Sequence, residues 1–273
     1  MITANTGLPD ELLAEIGELE QRVVAADGGR LKLEWKSLHS RSVDDVVAHE
    51  DGRLIAFVGV YRHGGEPELT GMVDPAHRRR RIGAAILTRA VQLVRDVPSV
   101  LLVVPRASAG GRQLALTRGG VLDHSEHALR QSVAPPPAPV DEPAGLHVRP
   151  AGEDDRAVVD TLIREGFGDP RGGREHMDGT AVAELDGRVV ATLAVERHNS
   201  RAGVYGFVVD PALQGRGIGR AVLGRMCRDL RADGVEEVHL EVEVRNERAL
   251  GLYTSLGFEP VTTEDYYRLA TSA

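Results

Sequence analysis

Gln214-Gly215-Arg216-Gly217-Ile218-Gly219 stands between an apolar run, Val204-Tyr205-Gly206-Phe207-Val208-Val209 followed by Asp210-Pro211, and an amphipathic stretch over 218–230. The first reads as a strand and the second as a helix. A glycine-rich turn that opens a helix presents backbone N–H groups with no partner inside the helix, at the positive end of the helix dipole. Phosphate oxygens fit such a place. Gly215, Gly217 and Gly219 let the backbone approach a ligand closely, and Arg216 adds a fixed positive charge. The stretch therefore predicts a phosphorylated ligand at the start of a helix. It is not a P-loop, because no Lys-Ser/Thr pair follows the glycines. Nor is it a dinucleotide fingerprint, since it lies beyond Pro211 rather than at the immediate end of a first strand.

The rest of the chain repeats this plan. Asp51-Gly52-Arg53-Leu54-Ile55-Ala56 matches Asp186-Gly187-Arg188-Val189-Val190-Ala191, and in each copy Asp-Gly reads as a hairpin turn. Arg62-His63 matches Arg197-His198, Val73-Asp74-Pro75-Ala76 matches Val209-Asp210-Pro211-Ala212, and Ile82-Gly83 matches Ile218-Gly219. So long a period means duplicated domains rather than a solenoid. Prolines at 135, 136, 137, 139 and 143 lie between the copies. They predict a stiff extended linker over 132–145, with domains at 1–131 and 146–273. Each copy reads as a helical region, two strands around Asp-Gly, a third strand, the loop and its helix, a further strand, a short helix and a last strand. That order gives an α/β fold, or α+β by a stricter count.

Behind the second loop come Val238-His239-Leu240-Glu241-Val242-Glu243-Val244, then Asn246, Ala249, Tyr253 and Gly257-Phe258. With Gln-x-x-Gly-x-Gly after Val-Asp-Pro, this order resembles the GCN5-related N-acetyltransferase (GNAT) superfamily. The resemblance implies two tandem domains with mixed, splayed central sheets, and acetyl-CoA as cosubstrate with no metal. It puts the pyrophosphate at Gln214, Gly215, Arg216, Gly217, Ile218 and Gly219. It also puts the pantetheine arm along the strand ending at Val209, a backbone N–H of Val208 or Val209 on the thioester carbonyl, and Asn246 and Tyr253 against the cofactor arm.

The expected chemistry is acetyl transfer to a primary amine. A free alkylamine is mostly protonated at neutral pH, so a base must take a proton from it; Glu241 and Glu243 are the candidates, with Tyr205 positioning water. The departing thiolate needs an acid, and the resemblance gives that role to Tyr253. Glu165, Phe167 and Glu175-His176 fall where acceptor-side loops are expected. Among tandem members the arrangement resembles the mycothiol synthases, whose second domain acetylates the cysteinyl amine of a pseudodisaccharide thiol. It departs from them just before Val204-Tyr205, where their catalytic Glu is expected and this chain has Gly203. Acetylation of a protein Lys or N-terminal amine, and non-catalytic acyl-CoA binding, stay open as alternatives.

The copies differ. The first loop reads Arg78-Arg79-Arg80-Arg81-Ile82-Gly83, with Arg81 in the place of Gly217, where a side chain would crowd a phosphate. Leu116 aligns with Tyr253, Ala109 with Asn246, and Val104 and Arg106 with Glu241 and Glu243. The first domain is thus expected to be degenerate and the second catalytic.

Composition bounds the rest. The 273 residues are 42% hydrophobic and carry a formal charge of −8, which disfavours general affinity for nucleic acid or membrane surfaces. The four consecutive arginines have no aromatic platform beside them. Cys227 is the single cysteine, so no intramolecular disulfide forms; it reads as helix packing in a cytoplasmic protein. No run approaches a membrane span. His124 and His127 have no partners at metal-ligand spacing. The expected partner is an amine-bearing small molecule, and the protein a monomer (with the copies as an internal pseudo-dimer) or a homodimer.

Overall fold

A computed structural model describes residues 1–28, 31–40, 44–62, 66–132, 142–168 and 177–272. The chain forms two compact units: Met1–Glu126 with Val261–Ala273, and His127–Pro260.

The first unit holds β1 (Ile2–Thr6), α1 (Asp10–Asp27), α2 (Trp35–Ser40), β2 (Asp44–Glu50), β3 (Arg53–Tyr61), β4 (Glu68–Val73), α3 (Ile82–Leu93), β5 (Ser99–Pro105), α4 (Ala109–Thr117) and the first half of β6 (Val121–Ser132). The second holds the rest of β6, β7 (Leu146–Pro150), α5 (Arg156–Phe167), β8 (Thr180–Leu185), β9 (Arg188–His198), β10 (Arg201–Val209), α6 (Ile218–Ala232), β11 (Glu237–Glu243) and α7 (Glu247–Ser255). The last strand, β12 (Glu259–Ala270), lies almost wholly in the first unit. Strand order is β1-β2-β3-β4-β5-β12 in the first unit and β11-β10-β9-β8-β7 in the second. Neighbours are antiparallel except β4–β5 and β10–β11, which are parallel. The strands of each unit are mixed in direction, as the family resemblance implies.

Local sequence explains the matching elements. Asp51-Gly52 and Asp186-Gly187 all take positive φ, the conformation that a tight hairpin turn demands and that Gly and Asp tolerate best. Asp74 and Asp210 each accept a hydrogen bond from the N–H two residues on, at 3.0 and 2.9 Å, closing a single 3-10 turn over the following Pro-Ala. α6 buries Ala221, Val222, Leu223, Cys227 and Leu230. All but Ala221 join Leu193, Val204, Leu240 and Phe258 in the main core of the second unit.

The two parallel pairs part early. Only Arg201–Glu237, Ala202–Val238 and Gly203–His239 are in register between β10 and β11, and only Glu68–Leu101, Leu69–Leu102 and Thr70–Val103 between β4 and β5. Beyond those pairs each sheet opens into a cleft, as expected of a splayed sheet. β10 also carries a bulge between Tyr205 and Val208, whereas β4 runs against β3 without interruption. A bulge bends its strand and re-aims the residues beyond it.

Two expectations need correction. The second domain does not keep residues 261–273, because β12 pairs with β5 from Glu264–Pro105 to Ala270–Ser99. Tyr266, Tyr267 and Leu269 are buried in the first unit's cores, and that burial fixes the strand there. Of the proline-rich segment, 133–141 lie outside the described residues. The alignment of the copies also slips beyond the loop. Register pairs Leu101 with the position of His239, so Val103, not Val104, answers Glu241. Ser108 and Asn246 are the equivalent helix caps, so Ala115, not Leu116, stands in Tyr253's place. Among the described residues, no helix is long and apolar enough to cross a membrane.

Candidate active site

Gly215 and Gly217 adopt φ of 82° and 81°, and Gly217 is the N-cap of α6. A Cβ at Gly217 would meet nothing within 4 Å, so its glycine serves conformation and an open approach. Gly219 has a packing role: a Cβ there would lie 3.3 Å from Leu252 and 3.5 Å from Val209. Gln214 turns inward, its Nε2 donating to Val209 O at 3.1 Å. Arg248 Nη1 donates to Gln214 Oε1 at 3.0 Å, which carries a guanidinium from α7 to the loop. Arg216 is exposed. Ile218 is buried as the first residue of α6.

The open edge of β10 distinguishes the two candidate amides. Asp210 donates its N–H to Val190 O of the β9 hairpin. Along a strand, successive N–H groups point to opposite sides. Val209 N–H therefore points away from β9, into the cleft left by β11, and Val208 N–H toward β9. Val209 is the amide that faces the cleft.

The same loop backbone exists in the first unit without glycines. Arg79 and Arg81 take φ of 65° and 64° at the positions of Gly215 and Gly217. Arg78 replaces Gln214, its Nε donating to Val73 O at 3.1 Å. Arg78 is also bidentate to Asp27, with both bonds at 2.7 Å, and Arg80 to Glu50, at 2.9 and 2.6 Å. Two of the four arginines are thus committed to carboxylates of their own unit.

Tyr253 lies in the core of the second unit at 7% exposure, tilted against Phe258 with ring centroids 6.1 Å apart. Burial pushes its hydroxyl up to about 12, so it keeps its proton at neutral pH. The Asn246 side chain accepts from Ala249 N–H at 3.0 Å and caps α7, a structural duty the sequence reading did not give it. Cys227 is fully buried, and burial raises its thiol to about 12.

On β11, Val238, Leu240 and Val242 face the core, while His239, Glu241 and Glu243 share the other face. Glu241 is half-buried and Glu243 exposed. Tyr205 belongs with this face: its hydroxyl lies 3.5 Å from His239 Nε2. Gly166 sets the approach of α5, since a Cβ there would come within 2.4 Å of Val208. Its neighbours Glu165 and Phe167 are exposed, Phe167 at 59%. Glu175-His176 lie outside the described residues. Among the described residues no group of His, Cys, Asp and Glu could hold a metal ion.

Sequence reasoning missed Arg248 and His239. Arg248 could have been suspected from its place two residues into a helix capped by Asn246. His239 alternates with the two glutamates that were singled out, so the same period-two reading contained it.

The acetyltransferase (GNAT) family profile matches residues 13–106 and 149–258. A mycothiol acetyltransferase from Kytococcus sedentarius is 31% identical, over 95% of this chain and 96% of that protein. One from Kineococcus radiotolerans is also 31% identical, over 96% of each. Among solved structures, a GCN5-related N-acetyltransferase from Sphaerobacter thermophilus superposes with a TM-score of 0.81 at 19% identity, covering 99% of this chain and 96% of the other. A tandem GNAT protein from the clavulanic acid biosynthesis pathway superposes with a TM-score of 0.74 at 17% identity, covering 100% and 99%. The two structures share the fold. The paired profile matches and the full-length relatives show that this chain belongs to the acetyltransferase (GNAT) family, the acyl-CoA-dependent N-acetyltransferases.

Proposed function

We propose that the second unit transfers an acetyl group from acetyl-CoA to a primary amine on a small molecule, in the cytoplasm. The observation that carries this reading is the contrast between two loops of one backbone conformation. The second has glycine at both left-handed positions, and the first has arginine. Only the glycines leave room for phosphate oxygens to reach the N–H groups at the start of the helix.

Each step then has a residue. The loop N–H groups of 214–219, with Arg216 and Arg248, hold the pyrophosphate. Val209 N–H, on the cleft side, donates to the thioester oxygen as negative charge develops there; an oriented donor of this kind contributes about 3 kcal/mol to the barrier. Tyr253, protonated at neutral pH, gives its proton to the departing thiolate. The face of β11 that carries His239, Glu241 and Glu243 receives the amine, with Tyr205, Glu165 and Phe167 beside it. A second reading, a cysteinyl amine on a pseudodisaccharide thiol as acceptor, is favoured by relatives named mycothiol acetyltransferase that match almost the whole chain.

Calorimetric titration with acetyl-CoA tests the core of this reading. One site is expected, weakened about 100-fold or more by Gly217→Asp, a change of roughly 3 kcal/mol. Mass-detected transfer to a panel of amines, including a cysteinyl amine on a pseudodisaccharide thiol, then identifies the acceptor. No binding by the wild-type chain, or binding indifferent to Gly217→Asp, overturns the assignment to the second unit.

A further inference from the structure

The last register pair before β10 and β11 separate is Gly203–His239. Its counterpart in the first unit is Glu68–Leu101. The neighbouring strands establish the equivalence: Gly203 lies opposite Glu196 of β9, and Glu68 opposite Tyr61 of β3. Tyr61 and Glu196 keep the spacing that relates the two Asp-Gly turns. This pair thus carries one ionisable side chain in each unit, on opposite strands; in the second unit it is the last pair before the strands part, whereas in the first the pairing runs on to Thr70–Val103.

Their surroundings differ. Glu68 is engaged. Lys32 Nζ lies 3.3 Å from its carboxylate and 3.7 Å from that of Glu126. Tyr266, 1% exposed, receives a bond from the same ammonium at 2.5 Å. In the second unit the tyrosine ring explains the missing carboxylate. A Cβ on Gly203 would come within 2.5 Å of Tyr205 Cε2 and 2.6 Å of its hydroxyl oxygen. Tyr205 lies back across Gly203 and reaches β11, where its ring meets His239 edge-on, with centroids 6.3 Å apart at 87°. His239 is half-buried at the point where the cleft opens.

We propose that His239 is the group that takes the proton from the acceptor amine, with Tyr205 as its positioning residue. An imidazole is the side chain whose ordinary titration range straddles neutral pH, which is the requirement for a general base at work there. The step balances. An N–H proton passes from the ammonium to a ring nitrogen of His239, and the freed lone pair forms the C–N bond to the thioester carbon. The C–S bond breaks and the thiolate takes the Tyr253 proton. The nitrogen, still carrying two hydrogens, loses its second proton as the amide forms, and that proton restores Tyr253 through solvent, while His239 returns its own to solvent. The charged and titratable groups on this face are Tyr205 of β10, Glu196 of β9 in the same register row, and Glu237 and Glu241 on the strand of His239 itself. Arg130 of β6 and Arg201 of β10 each lie 3.7 Å from Glu237.

This assignment rests on amine acetylation by the second unit. The test is the pH dependence of kcat for wild type, His239→Gln and Tyr205→Phe, using the best amine from the panel, with acetyl-CoA titrations alongside. His239→Gln should bind acetyl-CoA within about twofold of wild type and lose about 100-fold in kcat at neutral pH. It should also lose the acidic limb of the profile, with partial recovery at high pH as free amine accumulates. Tyr205→Phe should keep acetyl-CoA affinity and displace the limb. An active wild type whose limb survives in His239→Gln overturns the role of His239 alone, as does a limb removed by Glu241→Gln but not by His239→Gln. A wild type inactive with every amine overturns the functional reading and this assignment with it. If His239→Gln fails to bind acetyl-CoA, Tyr205→Phe decides, and an undisplaced limb there overturns the proposal.

Discussion

Tyr253 unites two properties that pull apart in most tyrosines: a place in the packed core and a candidate part in proton transfer. Its ring belongs to the hydrophobic core of the second unit, so Tyr253→Phe preserves the packing and removes only the hydroxyl. The variant should keep acetyl-CoA affinity, while kcat falls about 100-fold, the usual scale for losing a general acid. Turnover and calorimetry on one preparation check this, and undiminished turnover would give the thiolate's proton to solvent. At this scale the glycines of 215 and 217, the buried Cys227 and the tyrosine itself were legible, because each residue type answers a local demand. The one-residue slips at Leu116 and Val104 were not. A bulge in β10 and helices of unequal length shift the copies against each other, and one residue of slip turns a side chain to the opposite face of a strand. Val103, the true counterpart of Glu241, is buried beside Tyr266.

Among the elements, the junction of β7 and α5 joins an ionised pair to a helix start. Asp155 accepts from Arg149 at 2.7 and 2.9 Å and from Gly152 N–H at 2.8 Å. The Arg149 guanidinium, foremost, holds its carboxyl down to about 2. A carboxyl depressed by folding adds stability that is complete above the unfolded-chain value near 4 and fades as pH falls toward the folded value. Asp155→Asn should therefore lower the unfolding free energy of the second unit at pH 7 by about 2 kcal/mol, read as a lower urea midpoint. The gap to wild type should close between about pH 4 and pH 2. A gap unchanged across that range would place the effect in packing. The order of strands and helices in each copy was readable from periodicity and from the Asp-Gly turns. Two short outer strands, β1 and β7, were not, because five residues supply too little alternation to stand out.

At the scale of the molecule, the chain's last strand sets what each unit contains. A chain ending at Pro260 would leave β5 without its partner on one side and remove Tyr266, Tyr267 and Leu269 from the first unit. Hydrogen exchange should then show protection lost across β4 and β5 and retained in β8 through β10; loss confined to the second unit would contradict the pairing. Sequence alone determined the duplication, the family resemblance, the glycine-rich loop that opens a helix and the inequality of the two copies. All of these depend on residues near one another in the chain, where glycine placement and hydrophobic period act directly. The tertiary structure decided which unit receives β12, that His239 stands where β10 and β11 part, and that Val209 rather than Val208 turns its N–H into the opening. Those depend on pairing between distant segments, where buried area and register choose among partners that local sequence leaves equivalent.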